Sequence, residues 1–472
     1  MATIDEFKRE FTRAISEGYA AVFAGAGLSR ASGYASWKDL IRPLADEIQL
    51  SVDKESDLIS LAQFYANERG NRAAINQRIL NEFTKESASN ENITILTRLP
   101  ISTYWTTNYD RLIEHGLEEN NRRPDVKATQ QSLASSIYDR DAVVYKMHGD
   151  VCCPDSAILT KDDYEAYGWK RPLFRTALQG DLINKTFLFI GFSFDDPNFN
   201  HVLSQIKILL DSSVRDHYCF FRKIQKEDFT CEKDFQYAAI RQELRIKDLR
   251  RYGIQVVELN SYAEITVVLQ DVERDYLLKS VFVSGAFAQA PEMWDRLRIE
   301  DFSYRLAQML VKHDYRIISG FGLGIGSSVI NGALSEIMKS KYKHIDEHLC
   351  LRPFPQNVQD PAERKQLYQA YREEMISQTG ITVFIFGNKK IGDSSIIVSD
   401  GMLREFEIAQ SQGKFIIPVG STGGAAKEIY EKVKSEIVQY PYLSAFIDEL
   451  GSQTDTKKLL ELIFQIISTL QN

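Results

Sequence analysis

The chain has 472 residues, of which 44% are hydrophobic and 26% are charged, and this composition is typical of a globular protein with two domains of unequal size. A formal net charge of −8 excludes a surface built mainly to bind nucleic acid or anionic lipid, because both require a basic face. The apolar runs are far shorter than the roughly 20 residues that cross a bilayer, and the first residues lack the apolar core of a secretory signal, so we expect a cytoplasmic protein.

The first part of the chain, up to about residue 275, alternates short apolar runs with amphipathic segments. This alternation predicts an α/β domain of the Rossmann type over residues 1–275, with a parallel sheet covered on both faces. Several of the predicted strands end in glycine or polar residues, and ligands of such sheets bind at the carboxyl ends of the strands. The predicted strands are AAVFAGAG, ISTYWTTN, AVVYKMHG, TFLFIGFS and GIQVVELN.

The first of these strands leads into a glycine loop, Gly25-Ala26-Gly27, which precedes a predicted helix. Glycines let the backbone approach a phosphate closely, and the free amides at a helix N-terminus point at the anion. The same residues also suit a tight packing turn between a strand and a helix. The short pattern alone leaves both functions open.

Three later motifs make this loop more informative. GAGLSRASGYASW is followed in order by TTNYDRL, KMHGD and FIGFSFDDPN, and this set resembles the core of the sirtuin family. The resemblance implies a sirtuin-like fold, NAD+ as the substrate and catalysis by Asn108 and His148. By the same resemblance, the NAD+-binding residues are Ala26, Gly27, Ser29, Asn108, Asp110, His148, Gly191 and Ser193.

Cleavage of the bond between nicotinamide and ribose suits these residue types. Nicotinamide leaves as a neutral molecule from an oxocarbenium-like state, so positioning and a nearby base suffice. An imidazole can accept a proton from a ribose hydroxyl or from water near neutral pH. Asn108 can hold a water or the carboxamide without placing charge beside a developing cation. A purely structural histidine is the alternative, which the position of His148 beside Gly149 at a strand end disfavours.

The chain departs from sirtuin deacylases in its cysteines. Those enzymes usually carry a zinc module of two C-x-x-C pairs after the His-Gly motif, whereas this chain has only the adjacent Cys152 and Cys153 there. Two neighbouring thiols cannot supply a four-ligand site, so we expect no metal. Without that module we favour hydrolysis of NAD+ over lysine deacylation. An NAD+-dependent protein deacylase and a non-enzymatic nucleotide-binding assembly protein are the alternatives.

The alternation of strands and helices begins again near residue 279, which predicts a second, smaller Rossmann-like domain over residues 279–472. Helical patterns occur at about 293–312, 326–340, 361–378 and 402–412. The second strand leads to alternating glycines, and these leave backbone that a ligand can cover. The predicted strands are SVFVSGAF, RIISGFG, HLCLRPF, ITVFIFGN and KFIIPVG.

This second domain resembles the SLOG group of nucleotide sensors, which is related to phosphoribohydrolases. The Pro-Gly-Gly-x-Gly-Thr-x-x-Glu motif that carries catalysis in those enzymes is missing, so the resemblance implies binding of a nucleotide without cleavage. Cations can contact phosphates and a carboxylate can accept ribose hydroxyls, although single charged residues are more often solvated surface groups. The implied activator-binding residues are Ser284, Gly285, Gly322, Gly324, Arg372, Lys389, Gly401 and Glu405.

A sirtuin-like domain followed by a SLOG domain resembles the two-domain effector family of the bacterial Thoeris anti-phage system. That resemblance implies that a partner enzyme with a TIR domain makes a cyclic ADP-ribose isomer and that the SLOG domain binds it. The first domain would then deplete cellular NAD+. The resemblance also implies a homo-oligomer, a tetramer or a filament, in which the NAD+ pockets are held closed at rest.

Overall fold

The computed structural model describes residues 1–55, 57–210, 215–291, 293–355, 358–391 and 395–471. The chain divides into two compact units, Met1–Glu273 and Arg274–Asn472, and each is described by itself. We keep 1–275 and 279–472 as the proposed functional domains. None of the helices in the described part of the chain has both the length and the apolar character needed to cross a lipid bilayer.

The first unit is built around a sheet of seven strands in which every neighbouring pair is parallel. The strands lie in the order β3-β4-β2-β1-β5-β6-β7, so β1 is central. Their bounds are β1 (Ala20–Ala24), β2 (Thr103–Thr106), β3 (Pro124–Lys127), β4 (Ala142–Lys146), β5 (Thr186–Ile190), β6 (His217–Arg222) and β7 (Ile254–Leu259).

Helices connect these strands. All residues of β1 and β5 are buried, so helices and loops cover both faces of the sheet at its centre. The helices are α1 (Ile4–Ser16), α2 (Ala26–Ser29), α3 (Trp37–Glu47), α4 (Leu58–Arg69), α5 (Ala73–Phe83), α6 (Glu91–Arg98), α7 (Leu112–Glu119), α8 (Lys161–Lys170), α9 (Pro172–Asn184), α10 (Pro197–Leu210), α11 (Glu232–Arg250) and α12 (Glu264–Leu277).

Two strands of this sheet, β3 and β6, are absent from the sequence prediction. The edge strand β3 reads PDVK, and its two charged residues do not indicate a strand. The fold accommodates them because Asp125 and Lys127 pair with each other at 2.7 Å, with both side chains buried. The strand β6 reads HYCFFR and begins with His217, a nominally polar residue that lies buried here. In both strands the polar residues are paired or buried in the fold, so residue type alone does not predict the strand.

The second unit contains a parallel sheet of five strands in the order β10-β9-β8-β11-β14. An antiparallel hairpin, β12-β13, follows β11 in the chain. The five predicted strands all occur, and the hairpin was not predicted. The strands are β8 (Ser280–Ala286), β9 (Arg316–Ser319), β10 (Leu349–Leu351), β11 (Ile381–Phe386), β12 (Asn388–Ile391), β13 (Ser395–Val398) and β14 (Phe415–Pro418).

The helices of the second unit match the four predicted helical patterns and add α15 before β10 and three helices after the last strand. A large apolar core of leucine, isoleucine, valine and phenylalanine side chains joins these helices to the sheet. The helices are α13 (Arg296–Lys312), α14 (Gly326–Ile337), α15 (Ile345–His348), α16 (Pro361–Ser377), α17 (Asp400–Ser411), α18 (Gly424–Ser435), α19 (Ile447–Ser452) and α20 (Thr456–Thr469).

Candidate functional site

The strand register of the first unit aligns the predicted catalytic residues. The last residues of β1 and β2, Ala24 and Thr106, are paired, and Thr106 is paired in turn with Lys146 at the end of β4. Asn108 and His148 each follow two residues beyond these paired positions. The two predicted catalytic residues therefore leave neighbouring parallel strands at the same level and at the carboxyl edge of the sheet.

The first glycine loop packs tightly against the loop that follows β5. The Gly27 N–H donates to the Gly191 carbonyl at 2.8 Å, and a Cβ on Gly25 would lie only 2.4 Å from the same oxygen. Gly191 itself has φ of +63°, where a side chain would be strained and would meet the backbone of Leu28. These glycines thus join two loops by backbone contact. Phosphate binding at Ala26 and Gly27 stays a prediction.

Asn108 lies at the centre of a buried hydrogen-bond network. Its side-chain nitrogen donates to the Gly25 carbonyl at 3.1 Å and to the Ser29 hydroxyl at 2.8 Å. The Ser29 hydroxyl donates in turn to Asp110 at 2.7 Å, and the other Asp110 oxygen accepts the N–H of Leu112. The structure therefore brings the predicted residues Ser29, Asn108 and Asp110 together against the first glycine loop.

A fully buried lysine lies next to this network, and the sequence prediction missed it. The Lys146 ammonium lies 2.6 Å from Asp150, 3.1 Å from Glu114 and 3.2 Å from the Tyr109 carbonyl, and it also donates to the Asp110 carbonyl. Burial alone would lower the pKa of Lys146, but the carboxylates outweigh burial and raise it. The sequence feature that could have identified Lys146 is a lysine at the end of an apolar strand, within KMHGD.

His148 contacts a carboxylate that was not among the predicted site residues. Its Nε2 lies 3.1 Å from Oδ2 of Asp196, and only 6% and 7% of the two side chains are exposed. The other oxygen of Asp196 accepts the Phe199 N–H at 2.8 Å in the first turn of α10. Burial favours a raised pKa for Asp196, but His148 and the backbone donors outweigh it and lower the pKa. The available signal was an aspartate before proline at a helix start.

Aromatic side chains of α8 enclose the imidazole of His148. The ring of Tyr164 lies edge-on at 5.5 Å and that of Tyr167 at 6.4 Å, measured between ring centroids. Burial, followed by the charge of Asp196, raises the pKa of the Tyr164 phenol well above its ordinary value. Both phenols therefore stay neutral at physiological pH, and Asp196 is the anion against the ring.

The predicted residue Ser193 has a different environment. Ser193 is exposed, and its carbonyl accepts a hydrogen bond from Arg245 of α11. Arg245 also pairs with Asp195 at 2.7 Å. These contacts join the loop after β5 to α11, and a contact of Ser193 with a ribose stays a prediction.

The described part of the chain contains no group of three or more His, Cys, Asp or Glu side chains arranged to hold a metal ion. Cys152 and Cys153 are exposed free thiols.

The second unit has its own buried polar cluster, made of three predicted activator residues. The Ser284 hydroxyl donates to Glu405 at 2.7 Å, and Arg372 Nε donates to the other Glu405 oxygen at 3.2 Å. Burial raises the pKa of Glu405 despite these partners. Gly401 lies against the same guanidinium, because a Cβ there would lie 2.9 Å from Arg372.

Of the remaining predicted activator residues, Gly285 lies near the end of β8, Gly322 and Gly324 lie in the loop after β9, and Lys389 lies on β12. A Cβ on Gly322 would lie 1.9 Å from the Gly285 carbonyl, so these two glycines pack backbone to backbone. Gly324 has φ of +86°, which favours glycine. Lys389 on the hairpin pairs with Asp400 at the start of α17.

Models of two protein families match successive parts of the chain. A model of a SIR2-like domain matches residues 102–246, and a model of the Sir2- and TIR-associating SLOG family matches residues 264–470. Three full-length relatives are each named NAD(+) hydrolase ThsA. The protein of Bacillus cereus (strain MSX-D12) is 44% identical over 99% of both chains, that of Acinetobacter baumannii (strain 532279) 43% over 96% of both, and that of Enterococcus faecium 40% over 98% of both.

Proposed function

Because the chain belongs to the ThsA family of NAD(+) hydrolases, we propose that it hydrolyses NAD+ to nicotinamide and ADP-ribose in its sirtuin-like first domain. NAD+ is the substrate. The SLOG domain follows the sirtuin-like domain in the chain. The observation that carries the proposal for the site is the alignment of Asn108 and His148 at the ends of neighbouring parallel strands.

Asn108 orients the reaction. Both hydrogens of its side-chain nitrogen are engaged, at the Gly25 carbonyl and at the Ser29 hydroxyl. Its Oδ1 is then the group that can accept a hydrogen bond from a water or from the nicotinamide carboxamide. Because Ser29 also donates to Asp110, the orientation of the amide is fixed by two further buried side chains.

His148 accepts the proton that hydrolysis releases. The bond between the nicotinamide nitrogen and ribose C1′ breaks with its electron pair leaving on nicotinamide, which departs neutral. The oxygen of a water forms a bond to C1′, and a proton of that water passes to the imidazole and then to solvent. The products are nicotinamide, ADP-ribose and one proton, so the step balances without a metal or a redox partner.

The second domain supplies control. A cyclic ADP-ribose isomer, made by a partner enzyme with a TIR domain, binds at the cluster of Ser284, Arg372 and Glu405. Arg372 suits a phosphate and Glu405 suits ribose hydroxyls, while Lys389 on the hairpin provides a second cation. The name of the matching family, which associates SLOG with Sir2 and TIR domains, supports this assignment.

The burial of the first site supports a closed resting state. Asn108, His148 and Asp110 are all buried, so NAD+ requires movement of the surrounding loops before it can reach them. An activator opens the enzyme only through its higher affinity for the open form, and a coupling of about 3 kcal/mol gives roughly a 150-fold change. A tighter switch requires several subunits, which supports a homo-oligomer, a tetramer or a filament.

A defence protein of the cytoplasm that cleaves NAD+ requires such control. An NAD+ hydrolase without restraint would kill its own cell, whereas one that is opened by a signal of infection depletes NAD+ only then. We therefore assign the chain to an abortive anti-phage response of the Thoeris type.

The test is release of nicotinamide by the purified full-length chain. The protein is incubated with NAD+, with and without candidate cyclic ADP-ribose isomers, and nicotinamide is measured by chromatography. Asn108→Ala should abolish release while the protein stays folded. Asn81→Ala is the matched control, because Asn81 is an exposed asparagine of the same unit. Release by the Asn108→Ala variant at the normal rate would overturn the proposed site.

Two other outcomes identify the alternatives. A mass decrease on an acetylated peptide that depends on NAD+ would indicate a lysine deacylase. Calorimetric binding of NAD+ without any release of nicotinamide, even with the cyclic nucleotides present, would indicate a nucleotide-binding assembly protein.

A further inference from the structure

The contact between His148 and Asp196 has no role in the proposed function described so far. Asp196 comes from the loop after β5, whereas His148 follows β4, so the fold brings the two together from separate parts of the sheet. We propose that Asp196 is a positioning residue for His148, one that holds the Nε2–H tautomer of the imidazole and leaves Nδ1 as the proton acceptor. This inference rests on the proposed function of His148 as the base.

The carboxylate of Asp196 is itself held in place. One oxygen accepts the Phe199 N–H at 2.8 Å, and the Asp196 carbonyl accepts the Asn200 N–H at 3.0 Å as α10 begins. Aspartate is a preferred residue before a helix because one oxygen satisfies a free amide of the first turn. Capping requires only that oxygen. The second oxygen faces His148 Nε2 at 3.1 Å, which capping does not explain.

Burial strengthens this contact. Both side chains are almost fully removed from water, so the carboxylate acts on the ring at a lower effective dielectric than at the surface. Nε2 of His148 lacks a well-aligned hydrogen-bond partner among the described residues, since the carboxylate approaches it obliquely. Catalytic hydrogen bonds are often misaligned without substrate and align when it binds.

The other charged and titratable groups around the ring leave Asp196 as the relevant one. Tyr164 and Tyr167 of α8 are neutral phenols, and Tyr164 also hydrogen-bonds to Asp196. Tyr109, Asp163 and Arg171 act electrostatically on these phenols. On the segment that carries His148, Lys146 and Asp150 are paired with each other at 2.6 Å.

The proton balance of this arrangement is simple. Nδ1 accepts a proton from the attacking water, and the resulting imidazolium is stabilised by the adjacent carboxylate. The Nε2 proton stays on the ring, so Asp196 is never protonated. Release of the Nδ1 proton to solvent restores the starting tautomer.

Asp196→Asn tests the proposal, because asparagine keeps the size and the helix cap but removes the charge. Its amide can donate to Nε2 and so favour the wrong tautomer. We expect kcat for nicotinamide release to fall about 100-fold, within the range that general-base catalysis contributes, with KM for NAD+ close to that of the unaltered protein.

Asp195→Asn is the matched control. Asp195 is the adjacent residue, its side chain is 71% exposed and it pairs with Arg245, so its replacement should leave kcat unchanged. Asp196→Ser provides a second variant, because serine also caps a helix but is too short to keep the contact with the imidazole. It should show the same loss as Asp196→Asn.

A measurement that needs no activity separates this proposal from the function itself. Nitrogen-15 NMR of histidine-labelled full-length protein, with the His148 signals identified by their loss in His148→Gln, reports which ring nitrogen carries the proton. We expect the Nε2–H form in the unaltered protein and a shift toward the Nδ1–H form in Asp196→Asn. An unchanged tautomer and an unchanged kcat in a folded variant would overturn the positioning role. Absence of nicotinamide release by the unaltered protein would instead overturn the proposed function.

Discussion

Replacement of Lys146 by methionine tests whether the buried ion cluster supports the candidate site. The ammonium is fully buried and lies 2.6 Å from Asp150 and 3.1 Å from Glu114, whose side chains are also buried. Lys146→Met keeps most of the apolar stem and removes the charge, so two carboxylates lose their partner. Loss of one member of a buried ion pair costs about 3–5 kcal/mol, because the remaining charge is uncompensated.

This loss should appear in the first unit as faster hydrogen exchange. At 1.36 kcal/mol for each factor of ten, amides of β2 and β4 should exchange about 150- to 5,000-fold faster when measured by mass spectrometry. Lys161→Met is the control, since Lys161 is exposed and its ion pair with Glu165 is long. Its effect should stay below about 0.5 kcal/mol.

Two further measurements decide whether unpaired carboxylates cause the loss. Adding Asp150→Asn to Lys146→Met should restore part of the protection, because one carboxylate is then gone. The deficit should also be smaller at pH 4 than at pH 7. Burial alone would raise the pKa of Asp150, and Lys146 outweighs burial and lowers it. Without the ammonium, the effect of burial dominates, so protonation of the carboxyl as pH falls removes the uncompensated charge. Unchanged exchange in Lys146→Met would refute this explanation.

Two more predictions concern other parts of the chain. Burial, aided by Arg215, lowers the pKa of His217 to about 3, so the first unit should lose about 2 kcal/mol between pH 7 and pH 5 as the unfolded chain takes up the proton. His217→Asn, which keeps an acceptor for the Phe187 N–H, should remove that slope in urea unfolding, and an unchanged slope would contradict the assignment. In the second unit, Gly322→Ala places a Cβ 1.9 Å from the Gly285 carbonyl. Basal nicotinamide release should persist while activation by cyclic ADP-ribose isomers is lost, and normal activation would count against the site.

The fold was largely predictable because most strands here are continuous apolar runs between helices. β1 and β5 are buried on both faces, so nearly every residue is apolar and the pattern is plain. β3 and β6 show why the rest was not predicted. In β3 a local ion pair neutralises Asp125 and Lys127, and β6 begins with a histidine that burial keeps neutral. By residue type these side chains are polar, but in the folded protein they are paired with an opposite charge or uncharged.

The glycine loops show a limit of a different kind. From the sequence, Gly25 and Gly27 suit a phosphate cradle or a packing turn equally well, because both require the absence of a Cβ. In the structure, both lie against the carbonyl of Gly191. That contact depends on the register between β1 and β5, which the sequence does not specify. A glycine motif therefore indicates a close approach, and only the fold identifies what approaches.

Asn108 and His148 were candidates from the sequence because each lies two residues beyond a strand, and strand ends are visible in the sequence. Their catalytic roles stay predictions. The contact of Asp196 with His148 could not be predicted, because the sheet brings the two together from distant parts of the chain. The burial of Lys146 against Glu114 likewise appears only in the fold. In the proposed mechanism the imidazole of His148 needs a group that selects its tautomer, and Asp196 is the group proposed for that role. Variants of Asp196 and His148 should consequently fail to add in their effects on kcat, as expected for two residues that act as one unit.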